Sequence, residues 1–230
     1  MPIRDIRFPG FTPGVLWPRE CLLCQQSTGE AYFCAACLTR LPRAGPACRR
    51  CAGPAQPGRP GGCCQAPPPP WRHAWMPWRY AWPLDRLVVG VKFARRLAWA
   101  RALGELLAAE LPADCADVVV PVPLHPWRLA GRGFNQAQEI AAPIARHLGL
   151  SLRPELVRRV RATRPQSSLS AAERRDNPAG AFSVRAGVLS GRRVLLVDDV
   201  VTTGATAAAL ATAVVDAGAA EVAVAAVARA

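Results

Sequence analysis

The feature that most constrains this 230-residue chain is the run Val194-Leu-Leu-Val-Asp-Asp-Val-Val-Thr-Thr-Gly-Ala-Thr206. Four consecutive apolar residues predict a strand buried on both faces, the kind found in parallel sheets covered by helices. Asp198 and Asp199 stand at the C-terminal end of that strand, where open α/β sheets place their ligands. Thr202-Thr-Gly-Ala-Thr206 then makes a small-residue turn into a helix. Gly204 allows close backbone approach, while Thr202, Thr203 and Thr206 set hydroxyls beside the unpaired N–H groups of the first helical turn, with Ala205 between them. Such a turn can cradle a phosphate. Two acids would repel that phosphate, but they suit ribose hydroxyls, which donate to carboxylates, and they can support Mg²⁺. The expected ligand is a 5-phosphorylated ribose. Read blandly, the same Asp and Thr residues only cap a strand–turn–helix.

The rest of the C-terminal part alternates in the same way. Segments 84–93 and 95–111 read as amphipathic helices, and Asp117-Val-Val-Val-Pro-Val122 as a short buried strand. Asn135 can cap a helix running to about residue 147, with Gln138 completing a capping-box variant and Gly149 ending it. Ser170 and Glu173 form another such pair before Asn177-Pro178. A helix over about 203–217, ended by Gly218, and a last strand over 221–227 follow the acidic strand. Strands separated by helices at this spacing imply an open parallel sheet with right-handed crossovers, the α/β class.

The N-terminal part is built differently. Of nine cysteines, eight fall between Cys21 and Cys64, among Pro/Gly-rich stretches at 53–62 and 67–70. No secretory h-region precedes them, so a cytoplasmic location and metal binding are expected rather than disulfides. Cys21-x2-Cys24 and Cys34-x2-Cys37 predict a four-thiolate zinc site, and Cys48-x2-Cys51 is a third knuckle pair. Composition changes near residue 80, which divides the chain into a cysteine-rich module with its linker (1–80) and an α/β domain (81–230). The segment WMPWRYAWPL (75–84) reads as a linker or an edge segment with aromatic anchors. Cys115 reads as a small buried residue. The Ala/Val-rich stretch 207–228 is interrupted by Asp216 and Glu221, and no apolar run approaches the roughly 20 residues that span a bilayer. The net charge of +13 favours polyanions: nucleic acid, phosphorylated metabolites or anionic lipid. Lys92 is the one lysine among 29 Lys and Arg residues, so either its position rejects arginine or it is a chance survivor on a helix.

The run 194–206 resembles the phosphoribosyl pyrophosphate motif of type I phosphoribosyltransferases. VVVPVPLHPWRLAGRGFNQA (118–137) is similar to a segment of the ComF family, as is the later pattern Thr163, Gln166, Leu169, Arg174, Asn177 and Ala181-Phe182. The cysteine-rich start followed by Trp/Tyr-rich and Lys92-Phe93 segments has that family's order. The resemblance implies a type I phosphoribosyltransferase-like domain preceded by a small zinc ribbon. It assigns the catalytic acids Asp198 and Asp199 to the ribose diol, and Thr202, Thr203, Gly204, Ala205 and Thr206 to the 5-phosphate. Pyrophosphate would lie near Leu124, His125, Arg128, Arg132 and Gly133, with Lys92 a further candidate; His125 could instead pack the turn, and Asn135 could be a cap or a contact. Residues 163–177 match a loop that closes over the reaction centre and excludes water. The family pattern wants a further CxxC after Cys51. This chain offers adjacent Cys63-Cys64, and Gly61 where a thiol is expected, so a second zinc is held by a bulged loop, by three good ligands, or not at all.

By the same resemblance the ligands are phosphoribosyl pyrophosphate or a related ribose phosphate with Mg²⁺, and the role is natural transformation and the handling of imported single-stranded DNA with the competence uptake machinery. The alternatives are an active Mg²⁺-dependent phosphoribosyltransferase of nucleotide metabolism, or a non-catalytic nucleotide-responsive regulator. Arg40, Arg43, Arg49, Arg50 and Arg59 with the Trp71–Trp82 segment could meet single strands; otherwise the module is a zinc-stapled lid. No base-reading hood is evident in the sequence, which leaves the acceptor open.

Overall fold

Stretches such as Val118–Pro121 and Glu221–Arg229 carry almost no charge, and an apolar strand of this kind is stable only where helices cover both of its faces. A computed structural model describes residues 19–54, 68–161 and 180–230. The chain divides into two units, Met1–Leu41 and Pro42–Ala230. Cys63, Cys64 and Arg59, the pattern from Thr163 to Asn177 and the helix expected at Ser170–Glu173 lie outside the described residues.

Within the first unit, β1 (Arg19–Glu20) and β2 (Ser27–Gly29) pair antiparallel, and α1 (Ala35–Thr39) makes little more than one turn. The second unit continues with β3 (His73–Trp75), β4 (Trp78–Arg79), α2 (Leu84–Ala94), α3 (Leu97–Ala108), β5 (Val118–Pro121), α4 (Pro126–Arg132), α5 (Gln136–Leu148), β6 (Ser151–Leu152), a 3-10 turn (Pro154–Leu156), β7 (Val157–Arg159), β8 (Phe182–Val184), β9 (Arg193–Val201), α6 (Ala205–Asp216) and β10 (Glu221–Arg229). The main sheet runs β3-β10-β9-β5-β6 with β4 also on β10, and every pairing in it is parallel. The expected α/β parallel sheet is therefore the fold. β7 and β8 form a separate antiparallel ribbon.

The helix ends follow the local chemistry. Asn135 Oδ1 accepts from the Ala137 N–H (3.1 Å) at the start of α5, and Gly149 ends it with φ 66°. α3 and α5 approach so closely that a Cβ on Gly104 would stand 2.3 Å from the Ile140 carbonyl oxygen. Leu195, Leu196, Val224 and Ala225 in the central strands are fully buried.

Of the two readings of segment 75–84, linker or edge segment, the second is the one found. Residues 73–79 supply two short parallel strands to the sheet, interrupted at Pro77, which has no N–H to give a ladder. Of its expected aromatic anchors Trp78 is buried, as are Met76 beside it and Trp71 just before the segment, while Tyr80 and Trp82 are exposed. Residues 42–54 also belong with the sheet: the Ala74 N–H donates to the Arg49 carbonyl (2.7 Å), Ala44 to Pro77 (2.9 Å) and Arg79 to Pro42 (2.8 Å). The break between compact units at Leu41/Pro42 thus differs from the change in composition near residue 80, because backbone pairing draws Cys48, Cys51 and their neighbours onto the sheet's edge. Among the described residues no helix is long and apolar enough to cross a membrane.

Candidate functional site

Side chains alternate along a strand, so Val194, Leu196 and Asp198 share one face of β9, while Leu195, Val197 and Asp199 share the other. Neighbouring acids are thereby sent into different surroundings. Asp199 is 5% exposed, and its Oδ2 lies 2.7 Å from Nζ of Lys92, in the last turn of α2. Its Oδ1 accepts from the Val200 N–H (2.8 Å). Asp198 is only partly buried, and its Oδ1 accepts from the Asp199 N–H (2.8 Å). Burial, and then the charge of Asp199, push the Asp198 carboxyl up to about 8, opposed by the Asp199 N–H and by Lys92. One acid is paired with a lysine; the other is held reluctant to ionise.

The turn beyond β9 has the predicted form. Gly204 adopts φ 80°, a left-handed conformation that suits glycine, and a Cβ there would meet the Trp71 ring at 3.3 Å. The Ala205 N–H donates to Thr203 Oγ1 (3.3 Å) as α6 begins. Asp198, Asp199, Thr202, Gly204, Ala205 and Thr206 line one cleft of about 600 Å³, together with Lys92, Arg128 and Arg132. Thr203 is not among the lining residues. His125 lies instead in a neighbouring cavity of about 460 Å³, where its Nδ1 accepts from the Trp127 N–H (3.4 Å) and caps α4.

Among the polar, charged and aromatic lining residues, Phe93, Gln136 and Arg159 had no role in the sequence analysis. Gln136 was visible within RGFNQ, and Arg132 Nη1 donates to its Oε1 at 2.5 Å. Phe93 was visible beside Lys92; it is 76% exposed, with the Arg132 guanidinium 5.9 Å from its ring centre. Arg159 gave no signal, being one of the arginines of Arg158-Arg159-Val160-Arg161. The alternation of β7 turns Arg158 outward and buries Arg159 to 8% exposure. Burial and the charge of Arg128 lower its pKa, while Asp198 raises it.

In the first unit the Sγ atoms of Cys21, Cys24, Cys34 and Cys37 all lie within 4.8 Å of one another, with Cys24 and Cys34 at 3.7 Å. A tetrahedral zinc with Zn–S bonds of about 2.3 Å sets its sulfurs about 3.8 Å apart. Burial raises the Cys21 thiol, but N–H groups of Cys24, Cys34 and Leu23 outweigh it and bring the pKa down to about 6. Burial, reinforced by the other thiols, pushes Cys37 up to about 12. Four thiols gathered at this spacing fit a zinc ion, which takes all four as thiolates. In the second unit Cys48 Sγ accepts from the Arg50 N–H and Cys51 Sγ from the Gly53 N–H, both at 3.4 Å, the same kind of contact that the Cys34 N–H makes to Cys21. Cys115 is partly buried and its thiol is raised by that burial.

Comparison with known proteins finds two matched regions, the first of which runs across the break at Leu41/Pro42. The family model for a double zinc ribbon domain matches residues 14–66, and that for a phosphoribosyl transferase domain matches residues 135–230. The chain is 36% identical over 215 residues to DNA utilization protein YhgH of Salmonella typhimurium, covering 89% of this chain and 94% of that protein. It is 31% identical over 199 residues to Competence protein F of Haemophilus influenzae, covering 81% and 86% respectively. A solved structure described as the allosteric regulatory enzyme of purine biosynthesis aligns with 56% of this chain and 25% of its own, at 29% identity and a TM-score of 0.40.

Proposed function

This chain belongs to the ComF family, and on that premise we propose that its cleft binds phosphoribosyl pyrophosphate. The observation that carries the reading is the gathering of a carboxylate-ended strand, a left-handed glycine turn into α6 and a set of arginines around one space of about 600 Å³. Asp198 takes the ribose hydroxyls as acceptor, and Asp199 supports it from behind with Lys92 neutralising its charge. The open N–H groups of the first turn of α6, with the hydroxyls of Thr202 and Thr206, receive the 5-phosphate. Thr203 shapes the turn by accepting from Ala205. Arg128 and Arg132 face the pyrophosphate as forked donors; His125 orders the start of the helix that carries them. Mg²⁺ fits the donor set, since it binds mainly through substrate phosphates and needs only one or two carboxylates, here Asp198 with Asp199 beside it. When bound, it would neutralise the leaving pyrophosphate.

The names of the relatives support a role in DNA utilisation and competence, and we extend this to single-stranded DNA. Its affinity for the chain is expected to fall steeply with added salt, since released counterions drive such binding; a flat dependence, or none bound at low salt, argues against it.

The test of the cleft is calorimetric titration with phosphoribosyl pyrophosphate and Mg²⁺. Asp198→Asn combined with Asp199→Asn is expected to abolish binding while the thermal transition stays cooperative. Unchanged affinity in that variant removes the assignment. Pyrophosphate release with one acceptor makes the protein a transferase; tight binding with release from none makes it a sensor.

A further inference from the structure

Trp71 and Trp78, which the sequence sets among arginines, are buried and cannot receive a base. Among the described residues the most exposed large apolar side chains are Trp127, at 81%, and Phe93. Both belong to the surroundings of the 600 Å³ cleft. Phe93 lines it from the last turn of α2, and Trp127 stands in the first turn of α4, whose Arg128 and Arg132 line it as well. α4 buries none of its side chains, so apolar packing does not hold it there. Polar contacts do: Arg95 Nη2, at the end of α2, donates to the Gly131 carbonyl (3.4 Å), and Arg132 donates to Gln136. Trp127 lies one turn before Gly131 on the same side of the helix.

The charge around these rings has one sign. No Asp or Glu occurs in 86–104 or in 118–138, the stretches that carry Lys92, Arg95, Arg96, Arg128 and Arg132. The Arg132 guanidinium lies 5.9 Å from the centre of the Phe93 ring, so ring and cation are interleaved. Bare aromatic faces among guanidinium groups suit a flexible polyanion with flat faces of its own: single-stranded nucleic acid, whose phosphates meet the cations while its bases stack. An anionic membrane would take one continuous apolar face, whereas Phe93 borders a cleft lined by Asp198, Asp199 and Thr202.

We propose that this rim, the end of α2 together with α4, is the interface for single-stranded DNA, with Phe93 and Trp127 stacking bases at the mouth of the cleft. The proposal rests on the reading that the chain binds single-stranded DNA, and the experiment separates the two. Anisotropy of a labelled oligo-dT strand is followed across a salt series with the full chain, W127A, F93A and W82A. W127A and F93A are each expected to lose roughly five- to hundredfold in affinity, the scale of one stacked base, with the salt slope unchanged because a ring releases no counterions. The thermal transition of W127A is expected to match that of the unaltered chain, since its side chain is exposed. W82A removes a 70% exposed ring just before the start of α2, at the far end from Phe93, and is expected to bind as the unaltered chain does. Unchanged DNA affinity in W127A, or an equal loss in W82A, overturns the proposal and leaves DNA binding by the chain standing. Binding of the full chain to phosphatidylserine vesicles that W127A abolishes, with DNA affinity intact, overturns it in favour of a membrane. If the unaltered chain binds no strand at low salt, the reading and the proposal fall together.

Discussion

The two units of this chain are stabilised by opposite means. Around the four thiols, the buried residues of the described first unit are Cys21, Phe33, Cys37 and Leu41, and two of those are metal ligands by position. The second unit rests on β9 and β10, whose central residues from Leu195 to Val197 and from Val224 to Ala228 are fully buried. A set of strands and turns as short as the first unit's cannot offset its chain entropy by burial; a metal must. The sheet has no such need. The difference shows that the same chain encodes one fold by ligand spacing and the other by patterned apolar runs.

Removing the metal is the strongest way to break this comparison. Structural zinc contributes on the order of 10 kcal/mol or more in small modules, so chelation, or Cys37→Ser, is expected to erase amide protection across 19–41 while peptides from β9 and β10 stay protected. Hydrogen exchange on the full chain reads both at once. Loss of protection in β10 alongside 19–41 shows that the units do not fold separately. The converse experiment is smaller in effect. Leu196→Ala, which hollows the fully buried centre of β9, is expected to cost about 2–5 kcal/mol in urea unfolding of the sheet, with zinc content unchanged. A fall in zinc content in that variant breaks the distinction from the other side.

The smallest effect sharpens it. Asp117 Oδ2 accepts from the Arg193 N–H (2.8 Å), and its Oδ1 faces Arg193 Nη2 at 2.7 Å, tying the starts of β5 and β9. These bonds to Arg193 hold the Asp117 carboxyl below its ordinary value. A lowered folded value contributes stability that is full above the unfolded pKa of about 4 and is lost as pH falls through the folded one. The melting temperature of the sheet unit is therefore expected to drop on acidification below about pH 4, and Asp117→Asn to remove part of that drop. An identical acid slope in the variant means the pair contributes nothing.

What could be read ahead of the structure was whatever lies close together along the chain. The knuckle spacing of Cys21 to Cys37 and the contiguous acids and turn from Asp198 to Thr206 lie in short range, and the caps of α5 are single residues. The rest depends on distant partners. Lys92 could be singled out by its rarity but not matched to Asp199, because that pairing is set by which face of β9 meets α2. β3 and β4 could be read only as a linker or an edge segment, because Pro77 splits them and they bond to a strand some 150 positions away. α4 buries no side chain, so no apolar period marks it. Arg159 lay hidden among the arginines of 158–161 until the short ribbon of β7 and β8 gave it a direction.

The placement of β10 has a kinetic consequence. It sits between β9, its neighbour in sequence, and β3, with Ala223 opposite His73 and Val224 opposite Ala74. The hairpin-like locality that lets small proteins assemble quickly is missing here, since parallel strands so remote must find each other across a long intervening loop whose closure entropy is lost first. The β9–α6–β10 segment can condense early from near contacts. The aromatic strip around Trp71 and Trp78 is then expected to dock late, and with it the ring that a Cβ on Gly204 would meet. Completion of the Gly204 turn is thus expected to follow the pairing of the sheet's central strands.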